Sequence, residues 1–317
     1  RSSSMCVLRL VNGNVLKLYK QNTGEAPMFL FQKIEETMMR YTDARHAVGE
    51  FILQEQDKLY QYTVTEIAEK TFTSKATVVR FAKAMGYDGW KEFMKDYIAE
   101  VNYQKKYKNT VDFNIPFQKE DGIDTIAENI KKLQMESIRE TADLLDKEVL
   151  KKAADYLAGA ENIVIFSSSP NTYLGELFKR KLLTIGKRAA VAKSGEAGIE
   201  AATLGPQDLA LIISYSGNSV TQNPVNRIGL LKKNHVPIIG ITSGGDNYMR
   251  KNLDCIITMS SRERLYSKIA NYATEESLNY ILNVLFSCCF ASQYKQNLEF
   301  KIKNSRLLEQ ERVTMMK

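Results

Sequence analysis

Between residues 28 and 101 the apolar positions recur at intervals of three and four: Phe31, Ile34 and Met38, then Val48, Phe51 and Ile52. That period predicts helices with one face turned inward. The stretch 63–87 reads TVTEIAEKTFTSKATVVRFAKAMGY and carries its own punctuation. Thr63, followed three residues later by Glu66, forms a capping box in which two side chains satisfy free backbone amides. A helix over 64–70 follows, then a turn over 71–73. Ser74 caps a second helix, which Gly86 stops. The segment DGWKEFMKDYIAE begins another, with Tyr87, Trp90 and Phe93 as its core residues. Residues 104–122 show no clean period and read as a linker. A helical pattern returns over 123–157, with a break near 143–147.

Beyond residue 160 the pattern changes. Short apolar runs appear at 162–167, 188–192, 208–214, 236–242 and 254–259, and the clearer ones do not alternate. Such runs predict strands buried on both faces, hence a parallel sheet. Helix-length segments separate most of them, as parallel crossovers require. The expectation is a small all-α domain over 28–103, then an α/β domain over 123–294 with a three-layer, doubly wound sheet. The apolar run at 280–292 is too short to span a bilayer and reads as a buried helix. Residues 1–27 read as a disordered or added extension without a secretory leader, and 295–317 as a tail.

Charge sharpens the division. The chain carries a formal +7, and 70–108 hold nine basic against four acidic residues. The flanking blocks, 28–69 and 109–149, are net acidic. A basic block between acidic ones points to a polyanion surface. The four cysteines lack metal-ligand spacing and the histidines, His46 and His235, are only two, so no metal site and no cofactor are expected. A reducing cytoplasm fits the cysteine usage.

On the helix that Ser74 opens, Val78, Phe81 and Met85 share one face and pack inward. Ala76, Val79, Arg80 and Lys83 share another, with Lys75 at its edge. Small residues there allow close approach, and the long cations reach past them. That suits a helix in a DNA major groove: Arg80 for a guanine edge, Val79 for a thymine methyl, Lys75 and Lys83 for phosphates. A solvated basic face on an ordinary bundle is the bland alternative.

The second half has no G-x-G-x-x-G and no Walker sequence. It has IISYSGNSVTQ, in which Ser214, Ser216, Gly217, Asn218 and Ser219 lead from a strand straight into an expected helix. Hydroxyls at a helix N-terminus, on the carboxyl end of a central strand, make an anion site. FSSSPNTY after the first strand, with Ser168 and Ser169, offers a second hydroxyl-rich loop at the same edge.

The first segment closely resembles the helix-turn-helix of RpiR-type bacterial transcriptional regulators. Ser74, Thr77, Arg80 and Phe81 match the family's Ser-x-x-Thr-x-x-Arg-Phe, and 86–90 its Gly-aromatic-x-Gly-aromatic segment. The tight turn, often glycine there, has Phe72 instead, which implies backbone strain if its φ is positive. Residues 150–294 resemble the SIS (sugar isomerase) domain. That resemblance implies a five-stranded parallel sheet and a phosphosugar effector. Ser214, Ser216 and Ser219 match the S-x-S-G-x-T phosphate turn, with serine in place of threonine. The first loop departs: Ser167, Ser169 and Asn171 stand where the family has Gly-x-Gly-x-Ser. Glu263 matches a position near the sugar, with a surface salt bridge as its alternative role.

The implied protein is a cytoplasmic, homo-oligomeric regulator, dimer or tetramer, without a membrane span. Its partners are a double-stranded DNA operator and a sugar phosphate. Two other classes stand beside it. A sugar-phosphate isomerase would need an acid partner for Glu200 or Glu275, and His235 lies at the wrong edge of the sheet. A ligand-free scaffold would use the SIS fold only to dimerise.

Overall fold

The computed structural model describes residues 30–106, 111–193, 195–244, 247–260 and 262–315. The reading of 1–27 lies outside them. The chain divides into two compact units, Arg1–Tyr107 and Lys108–Lys317.

The first unit is all helix: α1 (Leu30–Arg40), α2 (Ala44–Glu55), a 3-10 turn (Gln56–Gln61), α3 (Val64–Lys70), α4 (Lys75–Ala84) and α5 (Trp90–Lys106). The three-four spacing holds: Ile34, Met38, Val48, Ile52, Ile67, Val78, Phe81 and Met85 are buried in one cluster. Aromatic rings complete it, with Phe93 packed on Trp90 at 4.9 Å, Tyr87 at 5.6 Å and Tyr97 at 5.6 Å between centroids. The Tyr97 hydroxyl reaches the Gln56 carbonyl at 2.8 Å and so ties α5 to the 3-10 turn.

The second unit opens with α6 (Ile123–Asp143) and α7 (Lys147–Gly159), then alternates: β1 (Asn162–Ser167), α8 (Asn171–Leu183), β2 (Arg188–Val191), α9 (Ala197–Thr203), β3 (Leu209–Ile213), α10 (Ile228–Lys233), β4 (Ile238–Ser243), α11 (Tyr248–Asn252), β5 (Ile256–Met259), α12 (Tyr272–Ser292) and α13 (Tyr294–Met315). The five strands are parallel, in the order β2-β1-β3-β4-β5. Ile163, Ile165, Leu209, Leu211, Ile239 and Ile241 face a core shared with α7, α8 and α12. Their neighbours Val164, Phe166, Ala210, Ile212 and Ile238 face a second core shared with α9, α10 and α11. Two buried faces explain the unalternating apolar runs. No helix among the described residues is long and apolar enough to cross a membrane.

Three stretches differ from expectation. The 104–122 linker reading is too wide: α5 runs to Lys106, and Phe113 is buried with Leu133 and Ala273 in the second unit. A single aromatic in a polar stretch is enough to anchor it. The 295–317 tail is helical through Met315, because residues 294–315 lack Gly and Pro and hold many good helix formers. The helix expected straight after Ser219 starts only at Ile228, after a 3-10 turn (Val225–Arg227). Pro224 has no amide to donate and holds Asn223 away from helical backbone, so the loop stays irregular.

Candidate functional site

The first candidate surface lies on α3 and α4. Thr63 and Glu66 form the capping box, with the Glu66 carboxylate accepting the Thr63 N–H at 2.7 Å. Those bonds hold the Glu66 carboxyl below its ordinary range. The Ser74 hydroxyl accepts the Thr77 N–H at 3.2 Å and sits 3.0 Å from the Thr77 hydroxyl. Both hydroxyls thus lie at the amino end of α4, where unpaired amides attract anions.

Between the helices the turn is tight. Thr73 N–H donates to Ala68 carbonyl at 2.8 Å, and the Thr71 and Thr73 hydroxyls meet at 2.9 Å. Phe72 between them has φ +52° and is 97% exposed. Turn geometry is therefore the glycine-like one, carried by a phenylalanine.

Periodicity sorts α4 as the sequence predicts. Val78, Phe81 and Ala82 are buried; Lys75, Ala76, Arg80 and Lys83 are exposed; Thr77 and Val79 are half-buried. Arg80 lies close enough to Asp43 to exert a weak electrostatic pull on it, while hydrogen bonds from Arg45 do most to hold the Asp43 carboxyl down to about 2.

The second candidate site lies where the connections from β1 and β3 leave the sheet in opposite directions, the switch point at which open α/β sheets bind ligands. Gly217 turns the β3 loop with φ +64°. A Cβ there would stand 2.7 Å from both the Thr242 hydroxyl and the Asn247 side chain, so only glycine fits. The Ser214 hydroxyl accepts the Gly217 N–H at 3.2 Å. The Asn218 side chain accepts the Tyr248 N–H at 3.0 Å and caps α11. Ser214, Gly217 and Asn218 thus shape the loop. Ser216 and Ser219 are half-buried, with no partner for either hydroxyl among the described residues.

Across the switch point, the Ser168 hydroxyl donates to the Asn223 carbonyl at 2.9 Å, and the Asn223 amide donates to the Ser167 carbonyl at 3.4 Å. Ser169 is exposed, and Asn171 is the first residue of α8. The side-chain oxygens of Asn171 and Asn223 are enclosed with no donor among the described residues. Asn223 was not foreseen; its signal was an Asn-Pro pair inside a hydroxyl-rich loop.

Glu263 is ion-paired with Lys268, but away from the surface. It is 1% exposed, so it is no surface partner. Its carboxylate accepts the N–H groups of Ala273 and Thr274, the Thr274 hydroxyl at 2.5 Å and the Lys268 ammonium at 3.1 Å. Three donors at the amino end of α12, with Lys268 from the loop before it, make it a helix-terminus anchor, where the dipole favours negative charge.

Residues 28–101 match the family model for the helix-turn-helix domain of the rpiR family, and residues 156–276 match the SIS domain. An uncharacterized HTH-type transcriptional regulator of Clostridium perfringens is 21% identical over 279 residues, covering 88% of this chain and 98% of its own. Another from Thermotoga maritima is 24% identical over 242 residues, covering 74% and 83%. Among solved structures, the Vibrio vulnificus NanR protein complexed with ManNAc-6P has a TM-score of 0.55 at 20% identity, covering 88% and 97%. At that identity the likeness is one of fold.

Proposed function

Because the chain belongs to the RpiR-type helix-turn-helix transcriptional regulators that carry a SIS domain, we propose how it performs that regulation: α4 reads a duplex DNA operator, and a sugar phosphate at the β1/β3 switch point controls the reading. The protein acts in the cytoplasm as a homo-oligomer, a dimer or tetramer, whose copies present paired heads to half-sites. The observation that carries this is the exposed cationic face of a helix whose opposite face is locked in a core. Arg80 contacts a guanine edge and Val79 a thymine methyl. Lys75 and Lys83 take phosphates, Ala76 permits close approach, and Ser74 with Thr77 sets the helix end against the backbone. Replacing Arg80 with Ala should weaken binding to a promoter fragment selected by the wild-type protein by about 1–3 kcal/mol. Gel-shift titration giving wild-type affinity and unchanged sequence preference would remove Arg80 from the contact set.

At the switch point Ser216 and Ser219 supply phosphate-binding hydroxyls, with Ser168 and Ser169 beside them. The oxygens of Asn171 and Asn223 accept from the sugar's hydroxyls. Ser214, Gly217 and Asn218 hold the loop in shape, and Glu263 acts at one remove by fixing the loop after β5. ManNAc-6P is the first compound to titrate by calorimetry. Ser216→Ala should cost about tenfold in affinity, the worth of one hydrogen bond to a charged group. DNA binding should survive.

Turnover is outside this reading. His235 precedes β4 at the opposite rim, and Glu200, whose carboxyl burial pushes up, is left without a histidine partner at this edge. A second reading, a ligand-free scaffold that only joins copies, draws on the Ser168–Asn223 bond that ties the two loops together. Calorimetric silence across a phosphosugar panel would favour it.

A further inference from the structure

Three consecutive backbone groups after β5 are gripped from two sides. From the β3 loop, the Tyr215 hydroxyl donates to the Glu263 carbonyl at 2.6 Å. From the first described segment of the second unit, Asn114 brackets the same residue. Its side-chain amide donates to the Arg262 carbonyl at 3.3 Å, and its side-chain oxygen accepts the Arg264 N–H at 2.7 Å. The Asn114 carbonyl also accepts the Ile269 N–H at 2.8 Å.

Neither grip is loose. Asp112 accepts the Asn114 N–H at 2.7 Å, and the Arg262 guanidinium lies 4.4 Å from the centre of the Phe113 ring. Arg262 is paired with Glu136 at 3.2 Å and Glu140 at 3.3 Å on α6. Lys268, bound to the Glu263 carboxylate, lies 5.6 Å from the centre of the Tyr215 ring. The Glu263 side chain is fixed on α12, and Tyr215 and Asn114 each bond the main chain of 262–264 directly.

We propose that Asn114 is a positioning residue for the effector response, coupled through the backbone of 262–264 to Tyr215. This rests on the reading of 214–219 as the effector turn. Tyr215 stands between Ser214 and Ser216, so a ligand bound at Ser216 would act on the backbone that carries its ring. Asn114 stands at the other end of the relay, in the segment that runs back in sequence toward the DNA-binding unit. Coupling needs an element whose arrangement both sites bias, and the 262–269 loop meets that need.

The test is hydrogen exchange on the full chain without ligand. Tyr215→Phe keeps the ring and deletes the donor. It should speed exchange at 111–116 and 264–269 about fivefold, the opening cost of one lost hydrogen bond. Asn114→Ala should speed exchange at 214–219 by a similar factor, and Asn114→Asp, which keeps the acceptor for Arg264, by less. Perturbation confined to the mutated segment would overturn the proposal, as would equal effects of Asn114→Ala and Asn114→Asp. If one substitution prevents folding, the other position decides alone. No ligand enters the measurement, so failure of the effector reading is seen separately, in silent calorimetry.

Discussion

Each candidate surface is approached through a turn with one left-handed residue, and the two residues could hardly be placed more differently. Phe72, at φ +52°, projects almost wholly into solvent. Gly217, at φ +64°, is buried against Thr242 and Asn247. At the first position a side chain costs only its intrinsic backbone penalty. At the second it would also collide with two neighbours. The lesson is that positive φ alone does not demand glycine; positive φ combined with close packing does. It also says where each turn draws its order: before α4 from local bonds between Thr71 and Thr73 and between Ser74 and Thr77, after β3 from tertiary contact.

Substitutions should break the symmetry in a definite order. Gly217→Ala should be worst, destabilising the second unit by about 2–4 kcal/mol as overpacking adds to left-handed strain. Calorimetric melting would check it; a loss under 1 kcal/mol would mean the loop relaxes freely. Ser74→Ala should cost the head about 1 kcal/mol by removing the cap on the Thr77 amide. Thr71→Val, which deletes the hydroxyl bonded to Ile67 carbonyl and Thr73, should cost slightly less, about 0.5–1 kcal/mol. Chemical denaturation of residues 28–107 would measure both. Phe72→Gly should have the smallest effect and the opposite sign. Relief of about 1–2 kcal/mol of strain is offset by the larger entropy of an unfolded glycine, leaving a gain of about 0.5 kcal/mol. A destabilised Phe72→Gly head would show that the ring has a packing partner.

The same contrast explains what was legible in the sequence. Helix ends in the head were readable because caps act within four residues: Thr63 with Glu66, Ser74 with Thr77, and Gly86 as a stop at φ +85°. The sheet was readable because two buried faces leave continuous apolar runs. The β3 loop was only half readable. Its serines marked the spot, but Pro224 kept the helix away, and the jobs of Asn218 and Asn223 depend on α11 and the β1 loop. The anchoring of Glu263 was not legible because, Lys268 apart, its donors belong to Ala273 and Thr274, ten and eleven positions on. Asn114 escaped notice in a segment that looked like linker, since its partners lie about 150 positions away.

One property of the head reaches further. Among the described residues, every buried member of its apolar cluster lies within 30–101. A module that closes its own interior can be excised and grafted. A chimera cut near residue 107, carrying this reader on another SIS body, should keep the operator preference of the donor and take its metabolite from the recipient.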